Sequence, residues 1–266
     1  MSDLSQCNPL DRFSGLADLY ARCRPSYPDA AIECIISRCE LRDRPTVLVD
    51  VGCGTGISSR LFAERGFYVI GIDPNPEMLQ KATAETARLS PQCTPEFRAG
   101  QAEATGLSDS VADIVLSAQA FHWFQAEAAL REFHRILKPN GWVALLWNER
   151  DESDPFTAAY GAVVQSTPEA KAIEFPRGRA GEPLLASPLF ENAERLVFAN
   201  EQQLDEEGLL GRALSASYAP KKLPEIEIFA AALRDVFARF QQGGHVVIHY
   251  ETSLYLGRRA ERPGDL

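Results

Sequence analysis

A glycine-rich turn between an apolar strand and a helix constrains the fold of this chain most strongly. Residues 47–51 form a nearly continuous apolar run, typical of a strand covered on both faces. The segment from Asp50 to Gly56 follows, with glycine at 52, 54 and 56, and a helical pattern begins at Ile57. Glycine lets the backbone turn sharply and lets a ligand lie close against it. The arrangement predicts an α/β fold with a ligand site at this turn.

The alternation of strand and helix continues after the turn. Further strands are predicted at 68–72, around Phe97, at 112–116 and at 142–147. One intervening helix is predicted to begin at Asn75 and Pro76, a capping residue followed by proline, and another follows from an apolar stripe over 129–137. Strands separated by helices of this length predict a doubly wound, mainly parallel sheet with helices on both faces.

Four segments are predicted along the 266 residues. They are an N-terminal helical segment (1–45), a ligand-binding core (46–147), an inserted cap or substrate region (148–190) and C-terminal strands and helices that complete the sheet (191–266). The cap is inferred because 148–190 lose the alternation, are rich in proline and exceed the length of a bare loop. Within the last two segments we predict helices around 156–164 and 227–240, and strands at 195–198 and 246–256.

Composition narrows the class of partner. The formal net charge is −10 and the pI is near 5.0, so the chain repels phosphate backbones and a nucleic-acid substrate is not expected. No apolar run approaches the ~20 residues that cross a bilayer, and the chain starts without a signal pattern. The six cysteines form no Cys-x-x-Cys pair and have no histidine at zinc-ligand spacing. We therefore predict a reduced, cytoplasmic protein with no metal and no membrane partner.

An acidic residue ends the second predicted strand. Asp73 lies where a carboxylate can accept hydrogen bonds from both hydroxyls of a ribose, so a nucleoside ligand is predicted. A dinucleotide site also needs glycine where this chain has Ile57. The glycine spacing, with Asp50 two positions ahead, instead resembles the first motif of class I S-adenosylmethionine-dependent methyltransferases. The resemblance implies S-adenosylmethionine as cofactor and a Rossmann-like, seven-stranded mixed sheet whose last strand is antiparallel.

Two later segments carry the same resemblance. Residues 100–104 are similar to the family's segment after the third strand, with Gln101 where an acid usually meets the adenine amino group. A glutamine carbonyl can accept the same bond, Ala102 would supply a backbone contact to adenine, and Met78 would form an apolar wall. Residues 137–141 are similar to the turn before the fifth strand, with Asn140 where glycine is common. Asparagine tolerates the left-handed backbone that this turn needs.

A narrower resemblance points to small-molecule enzymes. Residues 13–28, 120–124 and 250–259 resemble the methyltransferase type 11 group related to trans-aconitate methyltransferase, in which the N-terminal segment closes over the cofactor. Arg24 is the candidate for pairing with the cofactor's carboxylate, and the alternative is an exposed arginine beside a structural proline. The cofactor-binding residues implied altogether are Arg24, Asp50, Gly52, Gly54, Gly56, Asp73, Met78, Gln101 and Ala102.

Two residues past the fourth strand are candidates for the reaction itself. His122 follows the carboxyl end of that strand and would act either as a general base or as part of the pocket wall, and the wall is favoured. In-line transfer to a nucleophile depends first on alignment, and Gln119 is the candidate for orienting the methyl group or the substrate. Arg150, Arg177 and Arg179 would either receive a carboxylate substrate or form solvated surface, and solvated surface is favoured.

The sequence therefore predicts methyl transfer from S-adenosylmethionine to an oxygen, carbon or nitrogen of a small molecule. An NAD(P)-dependent oxidoreductase is the first alternative, opposed by Ile57 and by the lack of a Tyr-x-x-x-Lys pair. A non-catalytic cofactor-binding module is the second, and side chains filling the substrate pocket would favour it. Neither the acceptor nor the oligomeric state follows from the sequence.

Overall fold

The computed structural model describes residues 17–39, 45–87, 89–90, 94–166, 170 and 179–261. The sequence features at 13–16 and at Arg177 lie outside these residues. The four-segment division of the chain stays a prediction. In the described part of the chain, no helix is both long enough and apolar enough to cross a membrane.

Seven strands form one mixed sheet in the order β3-β2-β1-β4-β5-β7-β6. The strands are β1 (Val47–Val51), β2 (Tyr68–Asp73), β3 (Glu96–Ala99), β4 (Ala112–Ala118), β5 (Leu137–Arg150), β6 (Phe190–Leu204) and β7 (Val246–Arg259). The first five pair in parallel, whereas β7 is antiparallel to both neighbours, β5 and β6. The predicted seven-stranded mixed sheet with an antiparallel last strand is confirmed.

Helices cover both faces of the sheet. In the described residues they are α1 (Ala17–Cys23), α2 (Asp29–Arg38), α3 (Ile57–Ala63), α4 (Pro76–Thr86), α5 (Ala126–Ile136), α6 (Pro155–Val164), α7 (Glu182–Ala186), α8 (Glu206–Leu214) and α9 (Glu225–Phe240). Successive side chains of β1 pack on opposite faces, since Val49 joins the core under α5 while Leu48 joins the core under α2 and α3. This double burial is why β1 is apolar throughout.

A third core lies beyond the carboxyl ends of β4 and β5. It joins α6, α8 and α9 to β7, with Tyr160, Leu209, Leu233 and Tyr250 among its buried members. The cap helix predicted around 156–164 is present as α6. α9 and β7 also lie where the sequence indicated.

Four elements differ from the sequence-based expectation. β6 runs over 15 residues although only 195–198 was predicted, because its side chains alternate between exposed and half-buried and leave no apolar run. α7 and α8 were not predicted. β5 begins at Leu137 rather than 142, and the turn within it has Asn140 at φ +64°, so the expected left-handed asparagine is confirmed.

Candidate active site

The turn after β1 has the backbone that its glycines allow. Gly52, Gly54 and Gly56 have φ values of +73°, +53° and +75°. A Cβ on Gly52 would lie 2.5 Å from the Cβ of Ala120, so this position needs glycine for close packing. A Cβ on Gly54 would meet nothing within 4 Å, because its free side faces an open cleft. The turn therefore offers bare backbone to a ligand.

Asp73 fixes that turn from the end of β2. Its Oδ2 accepts the Gly54 N–H at 2.9 Å and its Oδ1 accepts the Asn75 N–H at 2.8 Å. Burial raises the pKa of Asp73, and the two backbone bonds oppose that rise. Each carboxylate oxygen accepts one backbone bond and keeps capacity for another, so the side chain can still hold a ligand's hydroxyls.

A cleft opens at the carboxyl ends of β1, β2 and β4, where open α/β sheets bind their ligands. Its lining consists of Tyr20, Tyr27, Gly52, Cys53, Gly54, Thr55, Ile57, Ser58, Asp73, Pro74, Asn75, Met78, Ala118, Gln119, Ala120, Trp123 and Phe124. The structure thus brings together the predicted Gly52, Gly54, Asp73, Met78 and Gln119. Parallel strands ending at one edge of the sheet explain why residues so far apart in sequence meet here.

Asp50 lies behind the turn rather than on the cleft. Its side chain is fully buried, and Oδ2 accepts the hydroxyls of Ser58 and Ser59 in α3 at 2.7 and 2.6 Å. Burial raises its pKa to about 6, against the opposing effect of the two serines. A ligand in the cleft would meet Asp50 only through the turn that it supports.

The other predicted binding residues surround the cleft without lining it. Gly56 is packed against the Phe97 ring, Ala102 is buried in the core under α5, and Gln101 is exposed after β3. Arg24 donates from Nη2 to the Ser215 carbonyl at 2.9 Å. Its guanidinium lies 4.5 Å from the ring centroid of Tyr20, which does line the cleft.

His122 is held in the wall behind the cleft. It lies in a single 3₁₀ turn, Phe121–Trp123, and is 9% exposed. Its Nδ1 accepts the indole N–H of Trp147 at 3.3 Å, and its ring is 4.9 Å from that of Trp123. Trp123, not His122, faces the cleft. This geometry favours the wall interpretation of His122 over that of a general base.

Gln119 is at the cleft with an unusual backbone. Its φ is +58°, and its Nε2 donates to the Asn148 carbonyl at 3.1 Å. A non-glycine residue in this conformation is strained, and such strain is concentrated at functional sites. Because the hydrogen bond to β5 uses Nε2, the side-chain carbonyl of Gln119 stays available to the cleft.

Several lining residues were not proposed as binding residues from the sequence. Asn75 caps α4 through Oδ1, which accepts from Glu77 and Met78, while its buried Nδ2 has no hydrogen-bond partner in the described chain. The Thr55 hydroxyl is likewise buried without a partner among the described residues. The signal for Asn75 was available, since a capping asparagine uses only its oxygen and leaves the amide N–H groups for something else.

Among the described residues, no group of three or more histidine, cysteine, aspartate or glutamate side chains is placed to hold a metal ion. Cys53, beside the glycines, is buried, and burial raises its thiol pKa well above the usual value.

Known proteins share both sequence and fold with this chain. The family profile described as "Methyltransferase domain" matches residues 49–145, which include the turn and Asp73. An uncharacterized methyltransferase of Mycobacterium tuberculosis (strain ATCC 25618 / H37Rv) is 32% identical over 211 residues, covering 77% of this chain and 76% of that protein. The chain belongs to the methyltransferase family. A methyltransferase-like relative from Schizosaccharomyces pombe is 37% identical over 138 residues, and the match spans only about half of each protein, 52% of this chain and 51% of the relative.

Solved structures agree with this methyltransferase in fold. A proposed type II methyltransferase from Anaeromyxobacter dehalogenans superposes with a TM-score of 0.61 at 23% identity, covering 88% of this chain and 97% of the other. The [4+2]-cyclase SpnF superposes at 0.56 with 17% identity and 97% of both chains covered. The fold therefore also carries another activity, and the reaction has to be argued from the site.

Proposed function

We propose that this methyltransferase binds S-adenosylmethionine in the cleft after β1 and transfers the methyl group to a small-molecule acceptor. The observation that carries the proposal is the Asp73 carboxylate, which accepts hydrogen bonds from the Gly54 and Asn75 amides and lines the cleft. A solved relative in fold, phosphoethanolamine N-methyltransferase 2 of Haemonchus contortus, contains S-adenosylhomocysteine.

The residues of the cleft fit the nucleoside part of this cofactor. The free lone pairs of Asp73 would accept the ribose hydroxyls, and the bare backbone at Gly54 would allow close approach. The unpartnered Asn75 Nδ2 and Thr55 hydroxyl supply polar groups that a bound ligand would satisfy. Met78 would form an apolar wall. Gln101 and Ala102, which follow β3, stay proposed contacts to the adenine.

The carboxylate end of the cofactor is proposed to lie toward Arg24. The guanidinium already stacks on Tyr20, a lining residue, and bonds the Ser215 carbonyl with one nitrogen. A guanidinium matches a carboxylate in shape and charge and binds it through charge-assisted hydrogen bonds. Gly52, Gly56 and Asp50 would act by holding the turn in place.

When bound, the cofactor supplies a methyl group on a sulfonium sulfur that is already an activated leaving group. The task of the protein is then to align the nucleophile and to exclude water. Tyr20, Tyr27, Trp123 and Phe124 cover the cleft with aromatic surface. Gln119 is proposed to orient the acceptor or the methyl group, and His122 to support Trp123 in the wall.

The alternatives lose support at this site. Ile57 lines the cleft where a dinucleotide site needs glycine, which disfavours an NAD(P)-dependent oxidoreductase. Side chains do not fill the cleft, which disfavours a non-catalytic module. The named relatives act on different acceptors, a malonyl-[acyl-carrier protein] and a phytyl-hydroquinone, so kinship alone does not name the acceptor.

The free thiols of Cys23, Cys34, Cys39 and Cys53 support a reducing compartment, and we propose the cytoplasm.

Calorimetric titration of the full chain tests the cofactor. We expect S-adenosylhomocysteine to bind with a dissociation constant of about micromolar order, near −8 kcal/mol, and NAD to give no saturable heat. Binding of NAD with no response to S-adenosylhomocysteine would refute the proposal. Release of S-adenosylhomocysteine from S-adenosylmethionine, stimulated by an added acceptor, is the corresponding activity measurement.

A further inference from the structure

Within the residues that the structure describes, a buried arginine in the third core has no acidic partner. Arg212 lies in α8 and is 7% exposed. In the part of the chain that the structure describes, its guanidinium makes one hydrogen bond, from Nε to the Tyr250 hydroxyl at 3.3 Å, and no ion pair. Burying a cation without an anion is unfavourable, and natural proteins normally pair such a charge. A ligand that brings the missing anion would explain the exception.

The groups that surround Arg212 are neutral donors rather than carboxylates. Tyrosines 160, 218 and 250 are the groups whose charge interaction with Arg212 acts on its pKa. Tyr160 is fully buried, and its hydroxyl has no hydrogen-bond partner among the described residues. Burial raises the pKa of Tyr160, so the hydroxyl keeps its proton and can donate. Among the described residues, Arg212 thus has no carboxylate partner and the buried Tyr160 hydroxyl has no hydrogen-bond partner.

A second cation lies beside Tyr160. The guanidinium carbon of Arg150, at the end of β5, is 5.9 Å from the ring centroid of Tyr160. Its ion pair with the half-exposed Glu152 is long, at 3.7 Å. The charged and titratable groups that act on Tyr160 are Arg212, Arg150, Tyr250 and Tyr218, with no carboxylate among them. Two cations therefore lie close to the Tyr160 side chain.

This cluster adjoins the proposed cofactor cleft. Trp123 lines the cleft and belongs to the same buried core as Tyr160 and Tyr250. On the other side, Ser215 follows α8, bonds the Arg212 carbonyl through its hydroxyl and accepts from Arg24 through its carbonyl. The end of α8 that carries Arg212 is thus tied to the segment that covers the cleft. For an acceptor bound in the cleft, the way to Arg212 would lead past Trp123, the residue that the cleft shares with this core.

We propose that Arg212 binds a carboxylate of the methyl acceptor, with the Tyr160 hydroxyl as a further donor. The inference rests on the proposed methyl transfer and adds the acceptor's class, an organic monoanion with an apolar body. A planar guanidinium matches a carboxylate in shape and charge, and pairs with it through two parallel N–H bonds. Phe156, Phe229 and Val164 in the same core would contact the hydrocarbon part.

Binding of simple carboxylates to the full chain, in the presence of S-adenosylhomocysteine, tests the proposal. The probes are octanoate and phenylacetate, with octanamide and phenylacetamide as uncharged matches and phenyl phosphate as a different anion, each titrated by calorimetry and by thermal unfolding. We expect at least one carboxylate to bind saturably and to raise the melting temperature, because a ligand that binds only the folded state stabilises it. The amides are expected not to bind.

Four variants separate recognition from folding. R212M removes the charge, R212K keeps it but loses the planar fork, Y160F removes only the hydroxyl, and R234Q is a matched control at an exposed arginine paired with exposed Glu206. Carboxylate affinity should fall about tenfold or more in R212M and R212K and severalfold in Y160F, the scale of lost charge-assisted bonds. It should be unchanged in R234Q. S-adenosylhomocysteine affinity should be unchanged in all four.

The outcomes are distinct. No saturable carboxylate binding by the wild type up to about 10 mM overturns the proposal, since that is weaker than an affinity of −4 kcal/mol. Carboxylate binding as tight as that of the wild type in both R212K and Y160F overturns the proposal as well, even if R212M does not fold. Arg212-dependent binding of phenyl phosphate in preference to phenylacetate overturns the carboxylate assignment. Failure of the wild type to bind S-adenosylhomocysteine counts against the proposed function instead.

Discussion

Replacing Asp73 with alanine separates two roles of one carboxylate. In the protein itself, Asp73 accepts backbone bonds from Gly54 and Asn75 at 2.9 and 2.8 Å. Bonds to a charged acceptor contribute ~1.5–3 kcal/mol each, and water in the open cleft can replace part of this at Gly54. We therefore expect the free energy of unfolding to fall by about 2–4 kcal/mol.

The same substitution should weaken cofactor binding separately. Losing one hydrogen bond to a charged group corresponds to ~1.5–3 kcal/mol, or about a 10–150-fold rise in the dissociation constant. Urea unfolding measures the first effect, and calorimetric titration with S-adenosylhomocysteine, below the unfolding transition, measures the second. Both are made on the full chain.

Asp109→Ala is the matched control. Asp109 precedes β4 at the opposite edge of the sheet, is 77% exposed on its side chain and pairs with Arg135. Removing an exposed ion pair should change stability by no more than about 1 kcal/mol and leave the affinity unchanged. A folded Asp73→Ala variant with wild-type affinity would remove Asp73 from the site. Equal losses of affinity in both variants would show that the effect is not local.

The remaining predictions concern the turn and the wall. Gly54→Ala and Gly66→Ala both place alanine at positive φ with open space around it, so each should lose ~1–2 kcal/mol of stability, but only Gly54→Ala should weaken S-adenosylhomocysteine binding in the same titration. Equal binding by the two would contradict the contact at Gly54. Burial raises the pKa of Asp50 to about 6, above its unfolded value of ~3.9, so the folded state holds that proton more tightly and stability should fall by about 2 kcal/mol between pH 4 and 6. Asp50→Asn should remove this dependence of stability on pH. Urea unfolding of both proteins across that range measures it: the difference between their free energies of unfolding should change with pH, and a constant difference would contradict the raised pKa. His122→Gln should leave turnover within about tenfold of wild type once an acceptor is known, because Trp123 rather than His122 faces the cleft, whereas a general base would account for ~10²–10⁴ in turnover.

The sequence could predict those parts of the site that consist of residues close to one another in the chain. The glycine turn and Asp73 are local patterns, each at the end of an apolar strand, and strand order then brings them together. The cap at Asn75 was also visible, but its free amide nitrogen matters only beside a cleft, which local patterns do not show. Tyr20 and Tyr27 line that cleft because their segment folds back over it.

Arg212 shows where prediction from sequence ends. It lies in α8, a short helix that was not predicted, and its sequence neighbours carry no motif. Its significance comes from Tyr160 in α6 and Tyr250 in β7, which only tertiary packing brings beside it. The candidates proposed from sequence for a carboxylate were Arg150, Arg177 and Arg179. Of these, Arg150 lies near the cluster, Arg179 is 73% exposed on its side chain, and Arg177 is outside the described residues.

The place of β7 between β5 and β6 also sets an order of events during synthesis. Within the described sheet, β6 pairs with β7 alone, so β6 leaves the ribosome before its only partner strand exists. Until then a strand of 15 residues is an open edge that could pair with other nascent chains. Glu191, Glu194, Arg195 and Glu201 place charge along it, and charge is what discourages such pairing. The alternation of polar residues that made β6 hard to predict from the sequence thus also discourages aggregation of the growing chain until β7 has been synthesised.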